Sequence, residues 1–220
     1  MLDWDWDFAL TEVLPELLEG LVITVEATIG GFILAAILGL LFALGRRSEN
    51  KWLSRPLGAF VEFIRSTPLL VQLFFLFFVL PRYGIRLPAL VTGIFALGLH
   101  YGTYCSEVYR AGIDAVERGQ WEAATALNFS PTHVWTRIIL PQAIPPMIPA
   151  LGNYFVAMFK ETPQLAAITV TEMLLTGRII GTQTFRFLEP ITMVGALFFL
   201  LSYPSSLFVQ RLEARYAKRG

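Results

Sequence analysis

The most informative segment of this chain reads Gly119-Gln120-Trp121-Glu122-Ala123-Ala124-Thr125-Ala126-Leu127-Asn128-Phe129-Ser130-Pro131. Its first part, from Gln120 to Leu127, consists of good helix formers and predicts a short helix. Asn128 tolerates the left-handed backbone that ends a helix, Ser130 can cap the next helix, and Pro131 suits the first position of that helix. The stretch therefore predicts a helical hairpin.

The hairpin has two interpretations. Helix signals alone favour an ordinary hairpin that joins two apolar segments at a membrane interface. Alternatively, Ala123 and Ala124 present a small surface that another protein could approach closely, and Glu122 offers a charge for pairing. Both interpretations predict the same local backbone.

Long apolar segments flank the hairpin on both sides. Hydrophobic residues make up 55% of the 220-residue chain and charged residues 15%, with a mean hydropathy of +0.59, whereas soluble domains carry about a quarter charged residues. The apolar blocks reach the ~20 residues that a helix needs to cross a bilayer. We predict an all-α membrane protein of about five transmembrane helices, at residues 20–44, 57–80, 88–108, 138–159 and 188–209.

These spans define one membrane domain, residues 20–212, with the hairpin in a loop at about 110–136. An amphipathic lead-in precedes it at 1–19, and a short tail follows at 213–220. The acidic residues of the lead-in favour a solvated segment over a receptor-docking role; they are Asp3, Asp5 and Asp7. We expect prolines to break the fourth span at Pro141, Pro145, Pro146 and Pro149.

The placement of basic residues predicts the orientation. Lys and Arg are retained on the cytoplasmic side of a membrane protein. With the C-terminus inside, eleven basic residues lie in cytoplasmic segments and five in external ones, and the first nineteen residues contain none. Arg65 is not counted, because it lies near a predicted membrane boundary. We therefore expect the N-terminus outside and the C-terminus inside the cell.

Other features of the sequence exclude several functions. The formal net charge is zero, which argues against a nucleic-acid partner. The single cysteine, Cys105, cannot form an intrachain disulfide and is expected to be buried. No Gly-rich phosphate loop ending in Gly-Lys-Ser/Thr occurs, so the chain does not supply a nucleotide site. We expect no metal or cofactor on this chain, and the acidic N-terminus does not fit a cleavable signal peptide.

The spacing around the hairpin resembles the EAA loop of bacterial ABC importer permeases. Glu122-Ala123-Ala124 is followed by three residues, Asn128, nine residues, and Ile138-Ile139-Leu140-Pro141. The family pattern has Gly where this chain has Asn128, and Asn is the residue that best tolerates a glycine-like backbone. This match favours the docking interpretation of the hairpin and assigns its ATPase-coupling residues, which are Glu122, Ala123, Ala124, Asn128 and Pro141.

Further segments resemble the polar amino-acid branch of these permeases, which imports histidine, glutamine, arginine and opines. The matching segments are Ile64–Leu73, the run Tyr104, Glu107, Arg110, Gly112 and Ile113, and the residues Leu140–Ala143, Pro149, Gly152 and Asn153. The resemblance covers about residues 17–212. It implies a type I ABC importer permease fold in the bacterial inner membrane, a second identical or homologous permease, two ATPase subunits that bind ATP and Mg, and a solute-binding protein.

Ionisable and polar residues inside the spans need an explanation, because a charge at the bilayer centre costs roughly 3 kcal/mol on insertion scales. Glu62 and Arg65, like Glu107 and Arg110, stand three apart on one helix face, which favours structural ion pairs over solute contact. His100 is either a hydrogen-bonded helix contact or a solute ligand. The candidates for the solute pathway are Glu26, Gln72, His100, Tyr101, Asn153, Lys160 and Glu161.

One segment departs from the family. Where the family has Lys, an acidic residue, Thr, Ser and Leu, this chain has Lys160-Glu161-Thr162-Pro163-Gln164. The departure indicates a different zwitterion, such as the cyclic compatible solute ectoine. Two functions of other classes compete with the importer: an ion-gradient-driven secondary transporter, and a non-transporting membrane scaffold. The absence of inverted repeats in five spans argues against the first.

Overall fold

Helices make up nearly all of the computed structural model, which describes residues 4–217 and the side chains of residues 4–215. The expectations for Asp3 and for the end of the tail at 218–220 lie outside this range. No strand occurs in the described residues, and the expected all-α class is confirmed. The helices are α1 (Trp6–Arg46), α2 (Lys51–Arg65), α3 (Leu69–Tyr83), α4 (Ala89–Asp114), α5 (Arg118–Ala126), α6 (Pro131–Ile168), α7 (Met173–Thr184) and α8 (Leu188–Ala217).

The first helix is longer than its predicted span. The side chain of Asp5 caps α1 by accepting the Phe8 N–H at 3.1 Å. From there the helix runs unbroken to Arg46, so residues 6–19 are helical and continuous with the first predicted span. Likewise α8 continues to Ala217 and includes the first part of the predicted tail.

The second predicted span is not one helix. The chain bends by 105° between α2 and α3, at Ser66–Pro68. Proline disfavours a helical conformation at the residue before it, here Thr67. The Gln72 side chain holds the break together, because its Nε2 donates to the Ile64 carbonyl at 2.8 Å and to the Thr67 hydroxyl at 2.9 Å. The predicted second span, residues 57–80, therefore consists of the end of α2 and most of α3, which meet at this break.

The prediction that prolines break the fourth span is wrong. The α-helical part of α6, Leu140–Glu161, continues through Pro145, Pro146 and Pro149. In membrane helices the freed carbonyls can be satisfied by local adjustments of the helix. The bend occurs further on, at residues 169–172, where α6 and α7 meet at 50°.

Within residues 4–217, three helices contain π-helical turns, and each turn ends two residues before a proline. The turns are Ala9–Val13, Phe75–Val79 and Val134–Ile139, and the prolines are Pro15, Pro81 and Pro141. Proline has no N–H and its ring clashes with the carbonyl four residues earlier. Widening the preceding turn by one residue separates these groups and lets the helix continue.

Up to four of the five predicted spans are long and apolar enough to cross a membrane. By length and apolar composition α1 and α8 can each cross a membrane, and the bent pairs α2–α3 and α6–α7 can each do so as one unit. The fifth segment, α4, has 26 residues but is more polar. Its polar residues Thr92, His100, Thr103 and Ser106 are buried within the protein, so it lies inside the bundle.

Helices α1 and α4 pack very closely. A Cβ atom built on Gly39 would lie 2.6 Å from the Cβ of Cys105 and 2.9 Å from the carbonyl oxygen of Gly102. Small residues allow such close backbone approach in membrane helices. Cys105 is fully buried at this contact, as expected for a small apolar residue.

The two ends of the bundle carry different structures. At the end that we call the hairpin end, Arg47 after α1 pairs with Asp114 at the end of α4, and α5 follows. At the opposite end, which we call the N-terminal end, Asp5 pairs with Arg186 in the loop between α7 and α8 at 3.1 Å. An apolar cluster of Phe8, Val13, Leu17, Met173, Ile180 and Val194 joins α1, α7 and α8 there.

Candidate coupling hairpin and intramembrane polar cluster

The hairpin has the backbone that its sequence predicts. α5 ends at Ala126, and Asn128 adopts a left-handed conformation with φ of 53°. The Ser130 hydroxyl accepts the His133 N–H at 3.3 Å, and Pro131 occupies the first position of α6. The predicted turn residues are therefore confirmed in their local roles.

The surface of the hairpin differs in part from the expected one. Glu122 and Ala123 are exposed, and Glu122 lies 3.2 Å from Arg118 one turn earlier. Ala124 is only 2% exposed, because it faces the protein. The expectation that both alanines are open to a partner is thus wrong for Ala124, which instead lets α5 lie close to the start of α6.

Two apolar side chains extend this surface, and sequence reasoning missed both. Leu127 and Phe129 flank the left-handed residue Asn128 and are 66% and 41% exposed. Together with Glu122 and Ala123 they form what we call the hairpin surface. The sequence could have indicated this exposure, because large apolar side chains on both sides of a predicted turn cannot reach the protein core.

The hairpin is anchored to the bundle by aromatic contacts. The rings of Trp121 and Trp135 meet edge to face at 5.3 Å, a favourable arrangement for aromatic pairs. Trp121 and Trp135 also pack against a buried cluster that contains Ile113, Ile139 and Met147. A displacement of the hairpin surface would therefore move the C-terminal end of α4 and the first turns of α6.

An ion-pair network lies near the hairpin end of the bundle, with Glu107 at its centre. The Glu107 carboxylate contacts Arg46 of α1 at 2.5 Å, Arg65 of α2 at 3.2 Å and Arg110 of α4 at 3.1 Å. Glu62 adds a longer contact to Arg65 at 3.6 Å. The two expected pairs are both in contact, and the network also joins them to Arg46, which sequence reasoning did not include.

A cluster of aromatic rings adjoins this network. The Arg65 guanidinium lies 5.3 Å from the ring centre of Tyr104. Tyr104 in turn contacts His100 at 5.2 Å and Tyr154 of α6 at 5.7 Å, and Tyr101 lies within 6.1 Å of Tyr154. Tyr104 and Tyr154 were not predicted as site residues; only the helix spacing of Tyr101 and Tyr104 hinted at a shared face.

Several buried polar atoms around these rings have no protein hydrogen-bond partner among the described residues. They are Nε of Arg65, Oε1 of Gln72, Nδ1 of His100 and Oε2 of Glu161. Buried polar atoms are normally paired, so each such atom asks for an explanation. They include donors and acceptors, the set that a zwitterion requires. Gln72 uses its amide nitrogen in the break between α2 and α3, which leaves only its oxygen free.

The pathway candidates divide into two sets. Tyr101 of the aromatic cluster lies beside the carboxyl of Glu161. Lys160, next to Glu161, is exposed and lines a groove with Pro163 and residues of α7 and α8. Glu26 and Asn153 are also exposed on this single chain. The structure thus groups His100, Tyr101 and Glu161 but not Glu26, Asn153 or Lys160. Residues 4–217 contain no group of three or more His, Cys, Asp or Glu placed to hold a metal ion.

Comparisons with known proteins agree with this architecture. The chain is 48% identical to the probable amino-acid ABC transporter permease protein y4tG of Sinorhizobium fredii, over 97% of this chain and 92% of that one. It is 34% identical to the L-cystine transport system permease protein TcyB of Bacillus subtilis, over 97% and 93%. The crystal structure of an amino acid ABC transporter with histidines superposes with a TM-score of 0.88, at 32% identity over 97% and 99% of the two chains.

One family description covers most of the sequence. The sequence model of that family matches residues 35–218, which include the hairpin surface, the Glu107 network and the aromatic cluster. The chain belongs to the family of binding-protein-dependent transport system inner membrane components.

Proposed function

We propose that this chain is the permease subunit through which an ABC importer moves a polar amino acid or a related zwitterion across the bacterial inner membrane. The observation that carries the proposal is the exposed hairpin surface, which stands on a loop with the spacing of the ATPase-coupling EAA motif. The similarity to amino-acid ABC permeases along nearly the whole chain supports it. ATP hydrolysis would take place in separate subunits.

The proposed complex contains a second permease, two ATPase subunits and a solute-binding protein. A second permease is supported by the 34% identity of this chain to y4tF, another probable amino-acid permease of the same organism as y4tG. The excess of basic residues at the hairpin end supports a cytoplasmic position for that end, with the N-terminal end outside. On this assignment Glu122, Ala123, Leu127, Asn128 and Phe129 face an ATPase, and the buried Ala124 supports the hairpin from behind. Pro141, the remaining coupling candidate, is exposed on α6 just after its π-helical turn.

The proposed solute pathway runs along the aromatic cluster. A zwitterion needs an acceptor for its ammonium group and a donor for its carboxylate. Glu161 and Gln72 offer acceptor oxygens, and His100 and Tyr101 can donate. Tyrosine faces would contact the apolar part of the solute. Glu26, Asn153 and Lys160 are exposed on the single chain, so they contact solute only if a second permease closes the pathway around them.

The experiment is reconstitution of this chain with its candidate partner permease and ATPase in lipid nanodiscs. ATP hydrolysis is measured with solute-binding proteins loaded from a panel of polar amino acids, cystine and ectoines. Stimulation by one loaded binding protein would support the importer and identify the solute. No stimulation by any binding protein, with the chain folded in the membrane, would instead support a gradient-driven transporter or a scaffold.

The coupling role of the hairpin surface has its own test. Glu122→Lys is expected to abolish binding-protein-stimulated hydrolysis and uptake while the chain stays in the membrane, because the variant reverses the charge on the docking surface. Glu49→Lys makes the same charge change at an exposed loop position of the hairpin end and serves as the matched control. Normal uptake with Glu122→Lys would contradict the coupling assignment.

A further inference from the structure

The loop between α7 and α8 holds a phenylalanine in an unfavourable arrangement. Phe185 adopts a left-handed backbone with φ of 57°, and its side chain is 90% exposed. Bulky non-glycine residues rarely occupy this region of backbone space. Asn128 occupies it at the hairpin, but asparagine tolerates it far better. A strained backbone that presents a large apolar ring to the surroundings is the kind of feature that clusters at binding sites.

The backbone on both sides of Phe185 is firmly held. Arg186 donates to the Asp5 carboxylate at 3.1 Å, pairs with Glu189, and places its guanidinium 4.3 Å from the ring centre of Phe8. The Phe187 ring packs so tightly on Gly181 that an added Cβ there would lie 2.5 Å from it. The exposed ring of Phe185 is therefore presented by a fixed loop, and binding would cost little conformational entropy.

The surroundings of Phe185 are aqueous. α1 has 41 residues and is about 61 Å long at 1.5 Å per residue, roughly twice the ~30 Å apolar thickness of a bilayer. Unless α1 is strongly tilted, one part of it extends beyond the apolar layer. The first part carries four exposed carboxylates, at Asp7, Glu12, Glu16 and Glu19. Phe185 adjoins Arg186, which is tied to Asp5 beyond all four, so its ring lies outside the lipid tails.

We propose that Phe185 is a docking residue for the solute-binding protein, and that it inserts into an apolar pocket on that protein whose rim carries Lys or Arg. This inference rests on the proposed function, because it needs a binding protein that delivers solute to the N-terminal end. The charges nearest Phe185 point to a basic rim, because Asp7 and Glu12 are exposed on the first turns of α1 beside Asp5. The other exposed basic residues of the external segments, Arg82, Arg86 and Lys160, lie on α3, the loop after it and α6. No Lys or Arg precedes Arg46 in the sequence, and Arg186 is neutralised by Asp5 and Glu189. Arg178, two turns earlier on α7, is the exposed basic group nearest in sequence.

The test uses the full reconstituted complex in nanodiscs and the loaded binding protein that stimulates its ATP hydrolysis. Phe185→Asn removes the ring but keeps a residue that tolerates the left-handed backbone. It is expected to raise the half-saturating concentration of binding protein about tenfold, while hydrolysis without binding protein stays unchanged. Phe185→Trp keeps an aromatic ring and is expected to stay within about twofold of the wild type.

Trp52 provides the matched control. It is 91% exposed at the start of α2, at the hairpin end, so Trp52→Ala removes an equally exposed ring from the opposite end. Its half-saturating concentration is expected to equal that of the wild type. If Phe185→Asn also leaves this concentration unchanged while the wild type is stimulated, the docking inference is overturned and the importer assignment stands. If no binding protein stimulates the wild type, the proposed function itself has failed.

A second measurement identifies what covers the ring. Cys105 is buried, so Phe185→Cys can be labelled with a polarity-sensitive dye without removing the native cysteine. A blue shift of dye emission only after the binding protein is added supports docking. A blue shift in nanodiscs that contain this chain alone would assign the site to lipid, and one that appears only with the second permease would assign it to the permease interface; both would overturn the inference.

Discussion

The carboxylate of Glu107 lies 3.2 Å from the guanidinium of Arg65, which itself lies over the ring of Tyr104. Arg65 of α2 therefore contacts two α4 residues that stand three apart, one in the ion-pair network near the hairpin end and one in the aromatic cluster on the proposed solute pathway. Arg65 stands at the last position of α2, just before the 105° bend. A shift of α4 relative to α2 must therefore either carry Arg65 along or weaken both of these contacts.

We predict that Glu107→Gln destabilises the protein. The variant leaves Arg46, Arg65 and Arg110 without their shared carboxylate. Breaking a fully buried ion pair costs ~3–5 kcal/mol, but Glu107 is about a third exposed, and exposed pairs are worth ~1 kcal/mol or less. We expect a loss between these limits, about 1–2 kcal/mol, seen as a lower midpoint in thermal unfolding of the detergent-solubilised protein.

Glu62→Gln is the matched control for this prediction. Glu62 carries the same charge but contacts only Arg65 among the ion pairs of the described residues, at 3.6 Å, and its side chain is 68% exposed. The same measurement should show little change. Equal destabilisation by the two variants would mean that Glu107 is not the centre of the network.

We predict that Gly39→Ala lowers stability through the contact between α1 and α4. The added methyl group would lie 2.6 Å from Cβ of Cys105 and 2.9 Å from a backbone oxygen of Gly102, and neither atom belongs to a flexible side-chain end. Overpacking of this kind costs ~1–3 kcal/mol. Gly195→Ala, on α8, meets no atom within 4 Å, and is expected to be neutral or to stabilise the helix by ~1 kcal/mol or less. Thermal unfolding of the two variants compares these effects, and an unchanged midpoint for Gly39→Ala would contradict the close packing.

The sequence predicts best those parts of the structure that local backbone chemistry decides. Asn128, Ser130 and Pro131 each favour one conformation on their own, so the hairpin was predicted correctly. The break between α2 and α3 depends on Pro68 and on the nearby side chain of Gln72, but the long apolar run on both sides of them favoured the prediction of one continuous span. The orientation of Ala124 and the shared contacts of Glu107 depend on packing between helices, which the sequence spacing alone does not specify.

Proline was the most misleading signal. Pro145, Pro146 and Pro149 predict a broken helix in water, yet α6 continues through them. The bend after α6 instead coincides with Thr169, which has a positive φ of 67°, and with Glu172, whose buried carboxylate accepts the N–H groups of Leu174 and Leu175. A buried acidic cap in a chain this apolar cannot be distinguished from a solute ligand by sequence alone.

We predict that Asn128 acts through its backbone conformation. Asn128→Gly should leave stimulated ATP hydrolysis within about twofold of the wild type, because glycine adopts the left-handed region freely. Asn128→Val forces a β-branched residue into that region and should displace the hairpin surface, which lowers stimulated hydrolysis several-fold. Thr125→Val, on the exposed face of α5, is the matched control. Loss of stimulation in the glycine variant as well would show that the Asn128 side chain itself contacts the ATPase.

We predict that the contact between Asp5 and Arg186 survives to low pH. The Phe8 N–H and the Arg186 guanidinium both bind the Asp5 carboxylate, and they lower its pKa below the ordinary value of 3.8. A carboxyl group whose pKa is lowered by folding stabilises the folded state fully above its ordinary pKa, and this stabilisation is lost as the pH falls through the lowered pKa. Arg186 remains charged throughout, because its two carboxylate partners raise its pKa further. The first turn of α1 should therefore stay protected at pH 4 and above and open only below about 3.8.

Hydrogen exchange at the start of α1, corrected for the intrinsic pH dependence of exchange, measures this directly. Asp5→Asn keeps a capping oxygen but cannot titrate, so it should remove the transition, whereas Asp7→Asn, with the same loss of charge two residues away, should leave the transition in place. A transition above pH 4 in the wild type would mean that Arg186 does not hold the Asp5 carboxylate in solution.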